Sequence, residues 1–217
     1  MNYVVTGANR GIGLEFCRQL RARGDRVFAI CRSPSEELRA LDVTIIDDID
    51  VTQPEHMRRL TDTLLDTSID VLINNAGILK NDTMGDANSI LAQFKTNALG
   101  PLLVTQALLG SLREGGKVAM ITSRMGSLND NTSGGYYGYR MSKAALNMGG
   151  LSLAEELRPH KIAVALLHPG YVRTDMTAQN GFIDTEESVY GLLHRIDELT
   201  LETTGGFWHT NGAKLPW

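Results

Sequence analysis

Short apolar runs alternate along the chain with stretches of helical period. The runs fall at residues 3–6, 26–31, 43–47, 70–75, 117–122, 162–167 and 206–209. Several, such as Tyr3-Val4-Val5 and Val164-Ala165-Leu166-Leu167, are apolar at consecutive positions. A strand with one wet face alternates apolar and polar residues, whereas a strand covered on both faces reads as an unbroken run, as in parallel sheets. Between the runs, helical patterns occupy 12–23, 36–40, 54–66, 88–112, 138–158 and 186–199. Strands alternating with helices imply right-handed crossovers. The expected fold is therefore α/β: a Rossmann-type, doubly wound sheet of about seven parallel strands with helices on both faces. In such sheets ligands sit beyond the carboxyl ends of the strands.

Composition narrows the class. The 217 residues suffice for one substantial core, and the absence of linkers or repeats predicts a single domain spanning 1–217. A formal charge of -4 argues against nucleic acid or anionic membranes as main partners. No apolar stretch approaches the ~20 residues of a membrane span. The first apolar run leads straight into a glycine-rich loop, which leaves no room for a signal peptide. Cys17 and Cys31 are too few for a disulfide framework. The expected setting is the cytoplasm, with both thiols serving as small core residues.

Candidate chemistry begins at the end of the first run, with Thr6-Gly7-Ala8-Asn9-Arg10-Gly11-Ile12-Gly13. Gly7 allows a sharp strand-to-helix turn, Gly11 lets the backbone approach a pyrophosphate, and Gly13 lets the helix pack closely on the sheet. The helix N-terminus then offers free N–H groups and a positive dipole to phosphate. A glycine-rich turn alone is weak evidence of a ligand site. Its position between a first strand and a first helix makes it much stronger.

This loop resembles that of the classical short-chain dehydrogenases/reductases, and further landmarks of the family follow in order. They are Asp50-Val51, Asn74-Asn75-Ala76-Gly77, Asn97, Ser123, Tyr139-x-x-x-Lys143, Pro169-Gly170 and Thr174. Within the family, residues 6–15, 134–147 and 205–217 are most similar to sniffer-type carbonyl reductases and C-factor-like proteins. The resemblance implies cofactor contacts from Gly7, Asn9, Arg10, Gly11, Ile12, Gly13, Arg32, Asp50, Val51, Asn75, Ala76, Gly77, Tyr139, Lys143, Pro169, Gly170, Val172 and Thr174. It also implies a homodimer or homotetramer built on the long fourth and fifth helices.

The cofactor is expected to be NADP(H). A carboxylate at the end of the second strand normally holds the ribose 2′-hydroxyl of NAD. Here the strand ends Ala29-Ile30-Cys31-Arg32, and a guanidinium suits a 2′-phosphate. The resemblance puts Arg10 nearby as a second cation.

The expected chemistry is hydride transfer between a nicotinamide and a small carbonyl or alcohol. Tyrosine, with a pKa of about 10, is a poor acid–base group at neutral pH, and a nearby ammonium favours its phenolate. Tyr139 and Lys143 are four apart and share a helix face, whereas Tyr136 and Tyr137 lack a lysine at that spacing. The resemblance assigns Lys143 to the nicotinamide ribose as well, Thr174 to the carboxamide, and Asn97 to a water relaying protons to Lys143. Ser123 is expected to hydrogen-bond the substrate oxygen. The separation of Ser123 from Tyr139 is about three residues longer than is usual in the family, so Ser127 competes for that role. The surplus is expected in a loop over 129–135.

Residues 171–187 read as a mobile lid, with Met176 and Phe182 as apolar lining. His168 reads as packed rather than catalytic. The histidines at 56, 160, 168, 194 and 209 show no metal-ligand spacing, so no metal is expected. Two other readings compete. An extended-type epimerase or dehydratase shares Tyr-x-x-x-Lys, but only about fifty residues follow Pro169-Gly170, too few for a large sugar-nucleotide domain. A C-factor-like signalling or scaffold protein would keep the fold without the chemistry.

Overall fold

The computed structural model describes residues 1–217. Seven strands form one sheet: β1 (Asn2–Thr6), β2 (Arg26–Ile30), β3 (Thr44–Ile46), β4 (Ile69–Asn74), β5 (Leu112–Ile121), β6 (Ala163–His168) and β7 (Gly206–His209). Their order is β3-β2-β1-β4-β5-β6-β7, and every neighbouring pair is parallel. The chain runs outward from β1 to β3, then returns to β4 on the other side of β1. That reversal opens a crevice at the carboxyl ends of β1 and β4.

The connecting helices are α1 (Gly11–Ala22), α2 (Glu36–Arg39), α3 (Pro54–Leu64), α4 (Ala87–Phe94), α5 (Gly100–Leu108), α6 (Tyr137–Leu157) and α7 (Thr185–Asp197). They cover both faces. One core of 24 buried residues joins Val4, Leu72, Val118 and Leu166 to α3, α5 and α6. The other, of 23, joins Tyr3, Val5, Ile73 and Leu167 to α1 and α7. The two cores are nearly equal, so consecutive residues of one strand are both buried. This is the physical origin of the unbroken apolar runs.

Two elements depart from the expected boundaries. The helix expected over 88–112 is divided: α4 passes through a π-helical turn, Lys95–Leu99, into α5, and a 3-10 turn, Leu109–Ser111, ends it. Pro101 has no N–H for the Asn97 carbonyl, and the Gly100 N–H reaches back to Lys95. The fifth strand begins at Leu112 rather than 117, because its pairing with β4 starts at Ile69↔Leu112 and resumes at Val71↔Lys117 after an irregularity. It ends at Ile121, two residues before Ser123.

Candidate active site

The glycine loop is braced from β4. Thr6 Oγ1 accepts from the Asn75 and Ala76 N–H groups, both at 3.0 Å. Asn75 Nδ2 donates in return to the carbonyls of Thr6 (3.0 Å) and Gly7 (3.3 Å). Gly7 and Gly11 are left-handed, with φ of 65° and 54°. Gly13 has no room for a side chain: a Cβ would stand 2.6 Å from Asn75 Nδ2 and closer still to the Gly7 carbonyl oxygen. No side chain caps the N-terminus of α1 and no acidic residue lies in its first turn. Its leading N–H groups therefore remain available to an anion.

A cleft of about 500 Å³ opens over this loop. Of the expected cofactor contacts, Gly7, Asn9, Arg10, Gly11, Ile12, Gly13, Arg32, Asp50, Val51, Asn75, Ala76, Gly77 and Thr174 line it. Ile30, Cys31, Ile49, Thr52, Ile78, Thr96, Asp175 and Met176 join them. Met176 was expected as apolar lining; the signal of the others in the sequence is only that they flank strand ends and motif residues. Burial alone would raise the Asp50 carboxyl, but two hydrogen bonds from Thr52 and the nearby Arg32 charge hold it below the usual range. Arg10 reaches Asp175 across the cleft at 3.3 Å.

Tyr139, Lys143, Pro169, Gly170 and Val172 stand outside this lining. The Pro169 carbonyl accepts from Ser188 Oγ, Gly170 turns with a φ of 89°, and Val172 is buried in a bridge to Ile183. Lys143 is buried behind Gly77, its Nζ 3.8 Å from where a Gly77 Cβ would stand. That Nζ lies 5.8 Å from the centre of the Tyr139 ring and donates to the Ile121 carbonyl at 2.9 Å. Burial lowers the Lys143 ammonium to about 8. Burial also pushes the Tyr139 phenol up to about 12, with the Ser123 hydroxyl beside it acting in the opposite sense.

The two serines differ in surroundings. Ser123 Oγ accepts from the Met125 N–H at 3.1 Å and faces Tyr139. Ser127 is buried in its own loop, its Oγ accepting from the Asp130 N–H. The following loop, 129–135, is exposed and enters α6 through three left-handed residues, Gly134, Gly135 and Tyr136. Arg140 holds that run through the Gly134 and Gly135 carbonyls and Ser133 Oγ. Asn97 is buried in the π turn; its Oδ1 accepts from the Ile78 N–H, and its Nδ2 donates to the Ile78 carbonyl and Ser142 Oγ.

The segment over 171–187 is internally bonded. Arg173 N donates to the Ile183 carbonyl, and the Arg173 side chain pairs with Asp184. Met176 lines the cleft, but Phe182 is 82% exposed and stacks edge-on against Tyr171, away from the cleft lining. No His, Cys, Asp or Glu side chains cluster as metal ligands, and no helix is long and apolar enough to cross a membrane.

Known proteins share this arrangement. The family model "short chain dehydrogenase" matches residues 2–182. A 1-hydroxy-2-glutathionyl-2-methyl-3-butene dehydrogenase of a Rhodococcus species is 41% identical over 99% of this chain and 98% of its own length. The C-signal of Myxococcus xanthus is 46% identical over 74% of this chain and all of its own. The crystal structure of an NADPH-bound carbonyl reductase from chicken fatty liver superposes with a TM-score of 0.92 at 32% identity, covering 100% of this chain and 98% of that one. Because the match runs through the glycine loop, the strand order and the Tyr-x-x-x-Lys helix alike, the chain belongs to the short-chain dehydrogenase family.

Proposed function

We propose that the protein is an NADP(H)-dependent oxidoreductase that moves a hydride between the nicotinamide and a small carbonyl or alcohol substrate. It acts as a single domain of residues 1–217. The observation that carries this reading is the buried Lys143 ammonium, set between the Tyr139 ring and Gly77 at the back of the glycine-loop cleft. The dehydrogenase and NADPH-bound carbonyl reductase relatives support the same chemistry.

The cleft fits the cofactor. The uncapped N-terminus of α1 and the close-packed Gly13 suit a pyrophosphate. Arg32 and Arg10, both in the lining, suit a 2′-phosphate. Asp50 and Val51 take the adenine end, Lys143 the nicotinamide ribose, and Thr174 the carboxamide. When bound in its reduced form, the cofactor supplies the hydride. Tyr139 gives its phenolic proton to the carbonyl oxygen as the carbonyl carbon takes the hydride, which yields an alcohol and a phenolate. Ser123 donates a hydrogen bond to the same oxygen as charge develops. Lys143 then stabilises and re-protonates the phenolate. We assign the relay water to the Asn97 main-chain carbonyl, which Pro101 leaves without its α-helical partner. At about 12 the Tyr139 phenol holds its proton at neutral pH, and the Lys143 ammonium, 5.8 Å from the ring centre, favours the phenolate that proton transfer leaves.

Assembly as a homodimer or homotetramer fits the exposed Leu91 and Phe94 of α4 and Met141 and Met148 of α6. A cytoplasmic setting fits the two buried free cysteines. The test is turnover of NADPH by the purified protein with a panel of aldehydes, ketones and quinones. A signalling role without chemistry, suggested by the C-signal relative, predicts none.

A further inference from the structure

The helix that carries Tyr139 starts badly by local rules. Its N-cap is Tyr136, left-handed at φ 50°, ψ 47°, with no side-chain cap, and the residues before it are Gly134 and Gly135. No Ser, Thr, Asp or Asn stands where a cap would satisfy the first-turn N–H groups. The Gly138 N–H is buried there, one residue before Tyr139.

A residue far away in sequence meets it. Asp82, in the loop after β4, is buried and directs both carboxylate oxygens at the Gly138 N–H, at 3.0 and 3.2 Å. Gln93 of α4, fully buried, donates its Nε2 to Asp82 Oδ2 at 2.6 Å. No cation pairs with Asp82, so its charge is compensated by the helix N-terminus and this amide. Gly138 has no room for a side chain: a Cβ would stand 2.6 Å from Gln93 Nε2, 2.9 Å from Ile90 Cα, and closer still to Asp82 Oδ2.

Gln93 cannot reorient freely. Its Oε1 accepts from the Lys80 N–H at 2.9 Å, while its Nε2 faces the Lys80 carbonyl at 3.4 Å. Four residues on, Asn97 makes the same paired contact with Ile78. Four helical residues rise ~6 Å and two extended residues ~6.6 Å, so amides four apart on a helix match alternate backbone units of an adjacent segment. The Asn97 branch also ends on the catalytic helix: Asn97 Nδ2 donates to Ser142 Oγ, which donates to the Tyr139 carbonyl. The backbone around Tyr139 is thus tied at the N–H before it and at its own carbonyl.

We propose that Asp82, oriented by Gln93, is a positioning residue that caps the first turn of α6 and fixes the place of the Tyr139 phenol. The kinetic part of this inference rests on the proposed carbonyl reduction; the capping part does not.

Asp82→Asn separates the possibilities. The new amide can keep its oxygen on Gln93 Nε2 and the Gly138 N–H only by setting its NH₂ 3.2 Å from that same N–H, and it carries no charge, so the cap is weakened with little change in volume. Hydrogen exchange at residues 138–141 should then quicken at least tenfold. The kcat for carbonyl reduction should fall about 10–100-fold, as for a small displacement of a reacting group, with the KM for NADPH within about threefold of wild type. Adding Gln93→Glu lets the introduced amide donate to the introduced carboxylate and turn its oxygen back to the Gly138 N–H, so the double variant should recover both readouts. Unchanged exchange in Asp82→Asn overturns the cap. Quickened exchange with full kcat overturns the positioning role, as does a double variant that stays slow. Should Asp82→Asn fail to fold, Gln93→Glu alone, which sets two carboxylates together, must still quicken exchange at 138–141 or the proposal falls. If the wild type shows no turnover, the proposed function fails, and exchange in the single and double variants decides the cap alone.

Discussion

Lys143 Nζ donates to the main-chain carbonyl of Ile121 at 2.9 Å, so the buried ammonium is tethered to the end of a strand and not to a carboxylate. A carbonyl dipole orients the ammonium but does not neutralise it. Burial therefore dominates and brings its pKa down to about 8. The charged form prevails below pH 8 and is lost above it. If Lys143 holds the nicotinamide ribose, the dissociation constant for NADPH should be flat at pH 6–7 and rise by about tenfold towards pH 9.5. Lys143→Met should bind weakly throughout, with no step near pH 8. Fluorescence titrations across this range check it, and a step that survives Lys143→Met would belong to another group.

His168 should contribute to the loss of stability in acid. It is buried at the end of β6, packs edge-on against His209 at 5.0 Å, and its Nδ1 has no partner. Burial, and then the charges of His209, Arg124 and Lys143, push its pKa from 6.5 to about 3. Between those values the unfolded chain binds a proton that the folded chain does not. Stability is therefore fully present at pH 7, declines as pH falls below 6.5, and levels off near 3, a loss of a few kcal/mol from this group. Urea melts at pH 7 and pH 5 should differ clearly in wild type and much less in His168→Gln. Equal losses in both would remove His168 from the account.

What the sequence disclosed depended on how locally each feature is encoded. The unbroken apolar runs report two covered faces, so the sheet and its parallel sense were readable. Gly7, Gly11 and Gly13 act through their own backbones and were readable too. Asparagine is a poor helix-interior residue and Gly100-Pro101 follows Asn97 closely, yet the π turn that hosts it depends on hydrogen bonds that the pattern does not show. Phe182, expected as apolar lining of a lid, stands exposed against Tyr171, and hydrophobicity alone does not show where a loop side chain is aimed. Nothing local in the sequence marks Asp82. Its partner lies 56 residues away, and only the tertiary fold brings them together.

Two glycine-to-alanine changes should behave very differently. Gly13→Ala drives a methyl into the Gly7 carbonyl and Asn75 Nδ2, both fixed by the brace between β1 and β4. It should cost about 1–3 kcal/mol or more and abolish NADPH binding. Gly134→Ala meets nothing within 4 Å and suffers only from its φ of 64°, a strain of about 1 kcal/mol. Thermal melts and NADPH titration compare them. Retention of NADPH affinity in Gly13→Ala would contradict the assigned phosphate loop.

The cofactor preference should follow the arginines in the cleft lining. NADPH is expected to bind at least about tenfold tighter than NADH, a difference near 1.4 kcal/mol. Arg32→Asp removes a forked donor from the 2′-phosphate and adds an acceptor for a 2′-hydroxyl, so the ratio should narrow or invert. Arg10→Ala should weaken NADPH and spare NADH. Salt should weaken NADPH binding more steeply than NADH, since these exposed charges are screened. Equal affinities in the wild type would refute the 2′-phosphate reading.

The sharpest test concerns the proton donor and its serine. Tyr139→Phe keeps the ring over which Lys143 sits and removes only the hydroxyl. General acid–base groups contribute ~10²–10⁴-fold, so turnover should fall by that range while NADPH affinity stays close to wild type. Ser123 faces the phenol, whereas Ser127 Oγ is engaged by the Asp130 N–H in its own loop. Ser123→Ala should lower kcat by ~10²-fold, in the range of a lost hydrogen bond to developing charge. Ser127→Ala should leave kcat within about twofold and cost about 1 kcal/mol of stability, the usual size of one buried hydrogen bond. The opposite ranking of the two serines would move the substrate oxygen to Ser127 and leave Tyr139 in place. Near wild-type reduction by Tyr139→Phe would remove the tyrosine itself, and with it the mechanism built on a phenolic proton donor.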